Sequence, residues 1–317
     1  MGLKKALIVG INNYPECPLY GCVNDAQQIN TLLSKHEDGT PNYSTKLLVG
    51  PNDSITKADL RRLLNELFIG ECESSLFYFS GHGLVKSTGG YIVTQDYSKH
   101  DEGVSMDEIL ALANKSSAKD KIIMLDCCQA GYLGDISSLG EKICHISEGV
   151  TLLTACRSTE FAVERGGGGV FTSLLIDALK GGASDLRGHV TPGSLYAYVD
   201  EALGAWSQRP IFKTNVSHFT SIRKCTPPVP LDVLRLIDNY FPQPDFEFPL
   251  SPDYEYTVEG SDPKKVEIFK NLQKYQSARL VVPVGEEFMY WAAMNSKACK
   301  LTGLGYQYWR MAKEHKI

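Results

Sequence analysis

The sequence has no apolar run near the ~18 residues that a membrane-spanning helix needs. It also has no C-x-x-C pair, no internal repeat, no low-complexity tract and no excess of positive charge. Each absence removes a class of protein. Without the long run, a membrane span is not expected. The opening MGLKKALIVGIN carries two lysines but only a short apolar stretch, with no small-residue cleavage site after it. It reads as a first strand, not a secretory leader. Ala6 stands where a myristoylation site would have Ser or Thr. These readings predict a cytoplasmic protein. The nine cysteines are odd in number and lack paired metal-ligand spacing, so neither a disulfide framework nor a structural zinc site is expected. Lys plus Arg total 32 against 37 Asp plus Glu, a net charge of −5. A protein built around a basic nucleic-acid footprint would have the opposite balance.

What is present is an ordinary globular composition, with 43% hydrophobic and 22% charged residues over 317 positions. That length suggests about two domains. Short β-rich runs alternate with helical patterns. Strands are predicted at 4–12, 45–50, 74–80, 120–128, 149–156 and 209–215, with a hairpin element at 89–97. Between them lie amphipathic helices, the first capped by Asn24–Asp25 and the second opened by Thr56. Strands alternating with helices imply an α/β fold, a mostly parallel six-stranded sheet with helices on both faces. This unit is predicted to cover 1–224. A linker and acidic segment follows at 225–262; residues 231–262 carry eight acids and one base. Residues 263–317 are predicted to form a small helical or winged-helix module. From 264 onward that module has ten Lys/Arg against four Glu.

Two residues at predicted strand ends carry the chemistry. His82 follows the third strand and Cys128 ends the fourth. Ligands of open α/β sheets bind outside the carboxyl ends of the strands, so these side chains are candidates to meet across one cleft. A thiolate is a nucleophile, and a neighbouring imidazole activates it and later protonates the leaving amine. Glycines beside them let backbone approach a carbonyl. The N–H groups of Gly83 and Cys128 are candidates for an oxyanion hole. Taken singly, a His between glycines is equally a turn residue, and a buried Cys is equally a small core residue.

The motifs FYFSGHG (77–83) and LDCCQAG (125–131) resemble the paired signatures of the caspase-like cysteine peptidases, the clan of caspases, metacaspases and their bacterial relatives. The resemblance covers roughly 3–217. It implies a caspase-like fold and a cysteine endopeptidase with His82 and Cys128 as the catalytic pair. Metacaspases usually have His-Ser after the nucleophile, and here Gln129-Ala130 follow. LYGCVNDAQ (19–27) is similar to the metacaspase stretch whose Asp lines the specificity pocket. The resemblance therefore implies a pocket built from Asp25 and Asp126, and a protein substrate cut after Arg or Lys. Asp25 also fits a helix cap and Asp126 a strand-end turn. The resemblance further suggests self-cleavage after Lys142.

No cofactor is required by this chemistry. Many metacaspases bind calcium through acids placed similarly to Asp96, Asp107, Glu108 and Asp135, but no contiguous calcium loop is present, and helix-start and loop acids are the preferred reading. The GGGG at 166–169 lacks the Lys-Ser/Thr of a phosphate loop and reads as a substrate-binding loop. Cys22, Cys72, Cys144, Cys156 and Cys299 show no partner pattern. By analogy with bacterial relatives, the C-terminal module is expected to recruit an activating protein in regulated proteolysis, such as antiviral defence or programmed cell death. Two other readings stay open: a catalytically inactive scaffold, and a regulator that binds nucleic acid through 264–317.

Overall fold

The computed structural model describes residues 2–15, 17–50, 54–98, 101–127, 145–155, 164–165, 168–203 and 209–317. It divides into two compact units, one of residues 1–185 and 189–225, the other of 186–188 and 226–317.

The first unit is organised by a six-stranded sheet. Its strands are β1 (Lys4–Gly10), β2 (Ser44–Val49), β3 (Ser74–Ser80), β4 (Asp120–Asp126), β5 (Val150–Thr154) and β6 (Ile211–Asn215). Their spatial order is β6-β5-β4-β3-β1-β2. Neighbouring pairs among β1 to β5 are parallel, and β6 runs antiparallel to β5. The helices are α1 (Cys22–Ser34), α2 (Lys57–Phe68), α3 (Met106–Lys115), α4 (Val170–Asp177) and α5 (Pro192–Ala202).

The central strands are buried along their whole length, because helices cover both faces. Strand side chains alternate between the faces. Leu7, Val9, Phe77, Phe79, Ile123 and Leu125 join Leu60, Leu64 and Ile109 of α2 and α3 in one core. Ala6, Ile8, Leu76, Tyr78, Ile122 and Met124 join Ile29, Phe171 and Leu195 of α1, α4 and α5 in the other. This double burial is why the strands read as continuous apolar runs. Thr56 caps α2 through its side chain, accepting from the Asp59 N–H.

The start of α1 differs from its sequence reading. Gly21 occupies the N-cap position without a side-chain cap, and Asp25 lies inside the first turn. Its carboxylate has another partner, described below. Past β3, the strands Gly83–Lys86, Gly89–Ile92 and Val104–Ser105 form a three-stranded antiparallel ribbon, larger than the single hairpin expected at 89–97.

The second unit has its own core. Residues read from sequence as linker and acidic segment contribute Val229, Leu234, Ile237, Phe241 and Leu250 to it, together with Phe269, Leu272, Tyr275 and Trp309. Its helices include Pro263–Ser277, Met289–Met294 and Gly303–Lys313. The unit also holds a small antiparallel sheet: Ala298–Leu301 pairs with both Val281–Val284 and Phe248–Pro249. The aromatics of the basic segment divide. Tyr308 and Trp309 are buried, with the Trp309 indole donating to the Phe241 carbonyl at 2.6 Å. Phe288, Tyr290, Trp291 and Tyr306 are exposed. Among the described residues of the chain, no helix is long and apolar enough to cross a membrane.

Candidate active site

The parallel register sets Ser80 of β3 opposite Asp126 of β4. One residue further, the Gly81 N–H donates to the Asp126 carbonyl at 3.3 Å. The strand ends that carry His82 and Asp126 therefore adjoin, at the carboxyl edge of the sheet. Cys127 follows Asp126 and is buried in the α2/α3 core. Cys128 lies outside the described residues, as do Asp135, Lys142, Cys144, Cys156 and the glycines at 166 and 167.

His82 is held on three sides. Its Nε2 lies 2.6 Å from the Cys17 carbonyl oxygen. A carbonyl only accepts, so Nε2 carries the proton and Nδ1 of the neutral ring is the basic nitrogen. The Tyr14 ring packs against the imidazole, with centroids 4.5 Å apart. The Tyr14 hydroxyl accepts from the His82 N–H at 3.0 Å and donates to the Val93 carbonyl at 3.2 Å. The Val93 N–H in turn donates to the His82 carbonyl at 2.9 Å. His82 and Val93 thus face each other as an antiparallel pair, with a tyrosine hydroxyl inserted into one of its two bonds. Burial raises the Tyr14 phenol above its ordinary pKa, which keeps the hydroxyl able to donate. Gly81 makes this possible: a Cβ there would sit 2.5 Å from the Tyr14 hydroxyl and 2.7 Å from the Phe79 ring. The next pair along the ribbon, Gly83 with Ile92, falls at the alternate, non-hydrogen-bonded position of the ladder. The Gly83 N–H is therefore directed away from its partner strand.

On the α1/α4 face of the same edge, the structure brings Asp25 and Asp126 together. Both are buried, 2% and 6% exposed. Asp25 Oδ2 accepts the Gly169 N–H at 2.9 Å. Asp126 Oδ2 accepts from the Thr172 hydroxyl at 2.6 Å and from its N–H at 3.3 Å. Both partners belong to the N-terminal turn of α4, whose unpaired amides favour negative charge. Tyr78 extends the network, its hydroxyl 2.6 Å from Thr172 Oγ1. Since Thr172 gives its proton to the carboxylate, Tyr78 is the donor in that contact. Burial, then the charges of Asp126 and Asp25, drives the Tyr78 phenol well above its ordinary range. A Cβ on Gly169 would stand 2.2 Å from Asp126 Oδ2 and 3.3 Å from Asp25 Oδ2, so only glycine lets the two acids converge there.

Of the acids considered for calcium, Asp96 and Glu108 have partners within the chain, and Asp135 lies outside the described residues. Glu108 makes a bidentate pair with Arg61 at 2.8–3.0 Å. Asp96 accepts from the Lys57 N–H at the start of α2 and from Thr94. Asp107 sits in the first turn of α3, where burial raises its carboxyl pKa. Among the described residues, no group of three or more His, Cys, Asp or Glu side chains could hold a metal ion.

His82, Gly83, Asp25 and Asp126, named from the sequence, lie at this edge; Tyr14, Thr172 and the Cys17 carbonyl, which surround them, were not named. The Tyr in INNYP had no visible partner, and a backbone oxygen leaves no residue signature.

A mostly parallel six-stranded sheet with helices on both faces describes a caspase-like α/β domain. The family model of the caspase domain matches residues 3–220, and the chain belongs to that family, whose members are cysteine peptidases. Two solved structures share the fold. A protein from Geobacter sulfurreducens aligns with a TM-score of 0.51 at 15% identity, covering 70% of this chain and 97% of its own. Caspase-1 from Spodoptera frugiperda aligns at 0.52 and 12% identity, covering 70% and 92%. A comparison with curated proteins gives no match.

Proposed function

We propose that the protein is a cysteine endopeptidase that cuts proteins after Arg or Lys, with His82 and Cys128 as its catalytic pair. The observation that carries this reading is the adjoining of the two strand ends. His82 follows β3, and Cys128 comes two residues after Asp126 on the neighbouring strand, with the Gly81–Asp126 hydrogen bond between them. The Cys17 carbonyl leaves His82 Nδ1 as the base. In this mechanism Nδ1 takes the thiol proton as Cys128 Sγ adds to the scissile carbonyl. The N–H groups of Gly83 and Cys128 hold the oxyanion. The C–N bond then breaks, and the imidazolium returns its proton to the leaving amine. Water, deprotonated by His82, hydrolyses the thioester and releases Cys128.

Specificity rests on Asp25 and Asp126. Two buried carboxylates side by side repel each other, and a cation between them relieves that cost. A guanidinium, which binds carboxylates through paired N–H groups, fits this arrangement best. Self-cleavage after Lys142 is the activation step this reading expects; a fully active Lys142→Ala protein discards it. Regulated proteolysis, such as defence against infection, is the role proposed by analogy.

The test is a peptide library that varies the residue before the cut, run with wild type and Cys128→Ala in parallel. Cleavage after Arg or Lys by wild type alone supports the reading. Turnover retained by Cys128→Ala, or equal cutting after Asp and Arg, discards it. Labelling of Cys128 by an electrophilic arginine ketone separates an active enzyme from an inert scaffold.

A further inference from the structure

The peptidase reading leaves one feature beside His82 unused. A cleft of about 320 Å³ opens there, lined by Tyr14, Pro15, Leu84, Val93 and Tyr97, with His82 as part of its wall. Among the described residues that line it there is no Asp, Glu, Lys or Arg. Tyr14 and Val93 belong to the α2/α3 core, and Leu84 packs against it. The acid pair lies on the opposite face of the sheet, held by the N-terminal turn of α4. The carboxyl edge therefore carries two recognition surfaces of opposite character, with the imidazole beside the apolar one.

We propose that this cleft binds an apolar side chain immediately after the scissile bond, so that the preferred substrates contain a basic residue followed by a large apolar one. The inference rests on the peptidase reading and deepens it. A substrate whose basic side chain enters the acid pair on the α1/α4 face has its scissile carbonyl at the edge. The amine that leaves takes its proton from His82, so the chain carrying that amine passes on the imidazole side. The surface waiting there is Tyr14, Leu84, Val93 and Tyr97. A leucine or phenylalanine buries its area against them, whereas a carboxylate or ammonium would be desolvated without a partner.

The experiment uses the full chain and peptides with Arg fixed before the cut, varying the residue on either side of that Arg. Wild type is expected to cut Arg-Leu and Arg-Phe peptides with kcat/KM about tenfold or more above Arg-Gly and Arg-Asp. Leu84→Asp and Tyr97→Ala are expected to lower the Leu-to-Gly ratio. Tyr97 is 43% exposed, so its truncation reads the ratio even where Leu84→Asp disturbs folding. A flat profile after the cut, a ratio unmoved in both variants, or apolar selectivity only before the Arg overturns the subsite and leaves the peptidase reading standing. Failure to cut after Arg or Lys in any peptide overturns both.

Discussion

At the amino edge of the six-stranded sheet, Lys4 and Lys121 are buried, and each ammonium ends on a backbone carbonyl, of Ser221 and Glu148 respectively. Asp120 beside them accepts from Thr220. Burial lowers the pKa of both lysines. At the carboxyl edge, Asp25 and Asp126 are buried just as deeply, but they converge on one helix terminus. The cavity at the amino edge, lined by Lys119, Asp120, Lys121, Glu148 and His218, is about 380 Å³, larger than the cleft beside His82. Neither cavity size nor buried charge therefore separates a site from a structural rim. What separates them is the arrangement of partners: at the amino edge the two lysines end on separate backbone carbonyls and Asp120 on Thr220, whereas at the carboxyl edge two acids share one helix terminus and His82 stands over an apolar cleft on the other face. Parallel strands impose this asymmetry, because ligands gather outside their carboxyl ends.

The sharpest way to break the comparison is to remove one charge from each edge. Asp126→Ala is expected to lower kcat/KM on arginine peptides by about 100-fold to 1,000-fold, as when one partner of a buried charged pair is truncated. Lys4→Met at the other edge is expected to leave kcat/KM unchanged. Asp126→Asn divides the role of the carboxylate. Its amide oxygen still accepts from Thr172, so thermal stability is largely kept, while the charge and the arginine preference go. Peptide kinetics alongside a melting curve distinguish the two roles; arginine preference that survives Asp126→Asn means the acid only caps α4.

Tyr14→Phe comes next. It keeps the ring against His82 but leaves the His82 N–H and the Val93 carbonyl without their bridge, at a cost of about 1–3 kcal/mol for buried unpaired groups. The expected result is a lower kcat with KM nearly unchanged, since the imidazole is displaced and the acid pair is not. A melting temperature that falls with kcat intact would make Tyr14 purely structural. This residue also shows where sequence stops being informative. The central strands were legible because burial on both faces demands unbroken apolar runs, as in SSLFYFS and KIIMLD. His82 stood out between two glycines at a strand end, and Asp126 beside a cysteine pair. The insertion of a hydroxyl into a strand ladder depends on how a loop from residue 14 returns to the end of β3, which no local pattern encodes. The antiparallel direction of β6 was equally hidden, since an edge strand reads the same either way. The positions of the second unit's strands were not legible because runs of four residues, such as Val281–Val284, are too short to outweigh the helical periodicity around them.

A smaller effect is expected at the amino edge. His36 is buried, and its Nδ1 accepts the Lys224 N–H at 3.1 Å, while Nε2 is buried with no hydrogen-bond partner among the described residues. Burial, then the positive charges of Lys4 and Lys224, lowers its pKa, with Asp38 opposing and Arg223 adding to the shift. As pH falls below about 6.5, the unfolded chain takes up a proton that the folded His36 refuses, so stability contributed at neutral pH is lost on acidification. Denaturant unfolding between pH 7.5 and 5 is expected to show this loss, with His36→Gln flattening the curve. A slope identical in the variant assigns the acid sensitivity to other groups.

The smallest effect is expected where a sequence reader would look first for a second thiol. Cys17 lines the cleft beside His82 and is exposed, which makes it a conspicuous neighbour for the imidazole. The contact to His82, however, runs through the Cys17 carbonyl, not its sulfur. A side-chain substitution cannot remove a backbone acceptor. Cys17→Ala should therefore keep His82 in the same tautomer, with Nδ1 as base, and hold kcat within about twofold of wild type with an unchanged pH profile. Cys17→Pro changes the backbone instead: it fixes φ at residue 17 and restricts the residue before it, moving the segment that carries the carbonyl. A strong loss in Cys17→Pro beside a silent Cys17→Ala locates the contribution in the main chain. A loss in Cys17→Ala would place it in the thiol and reverse the assignment of which atom orients the histidine.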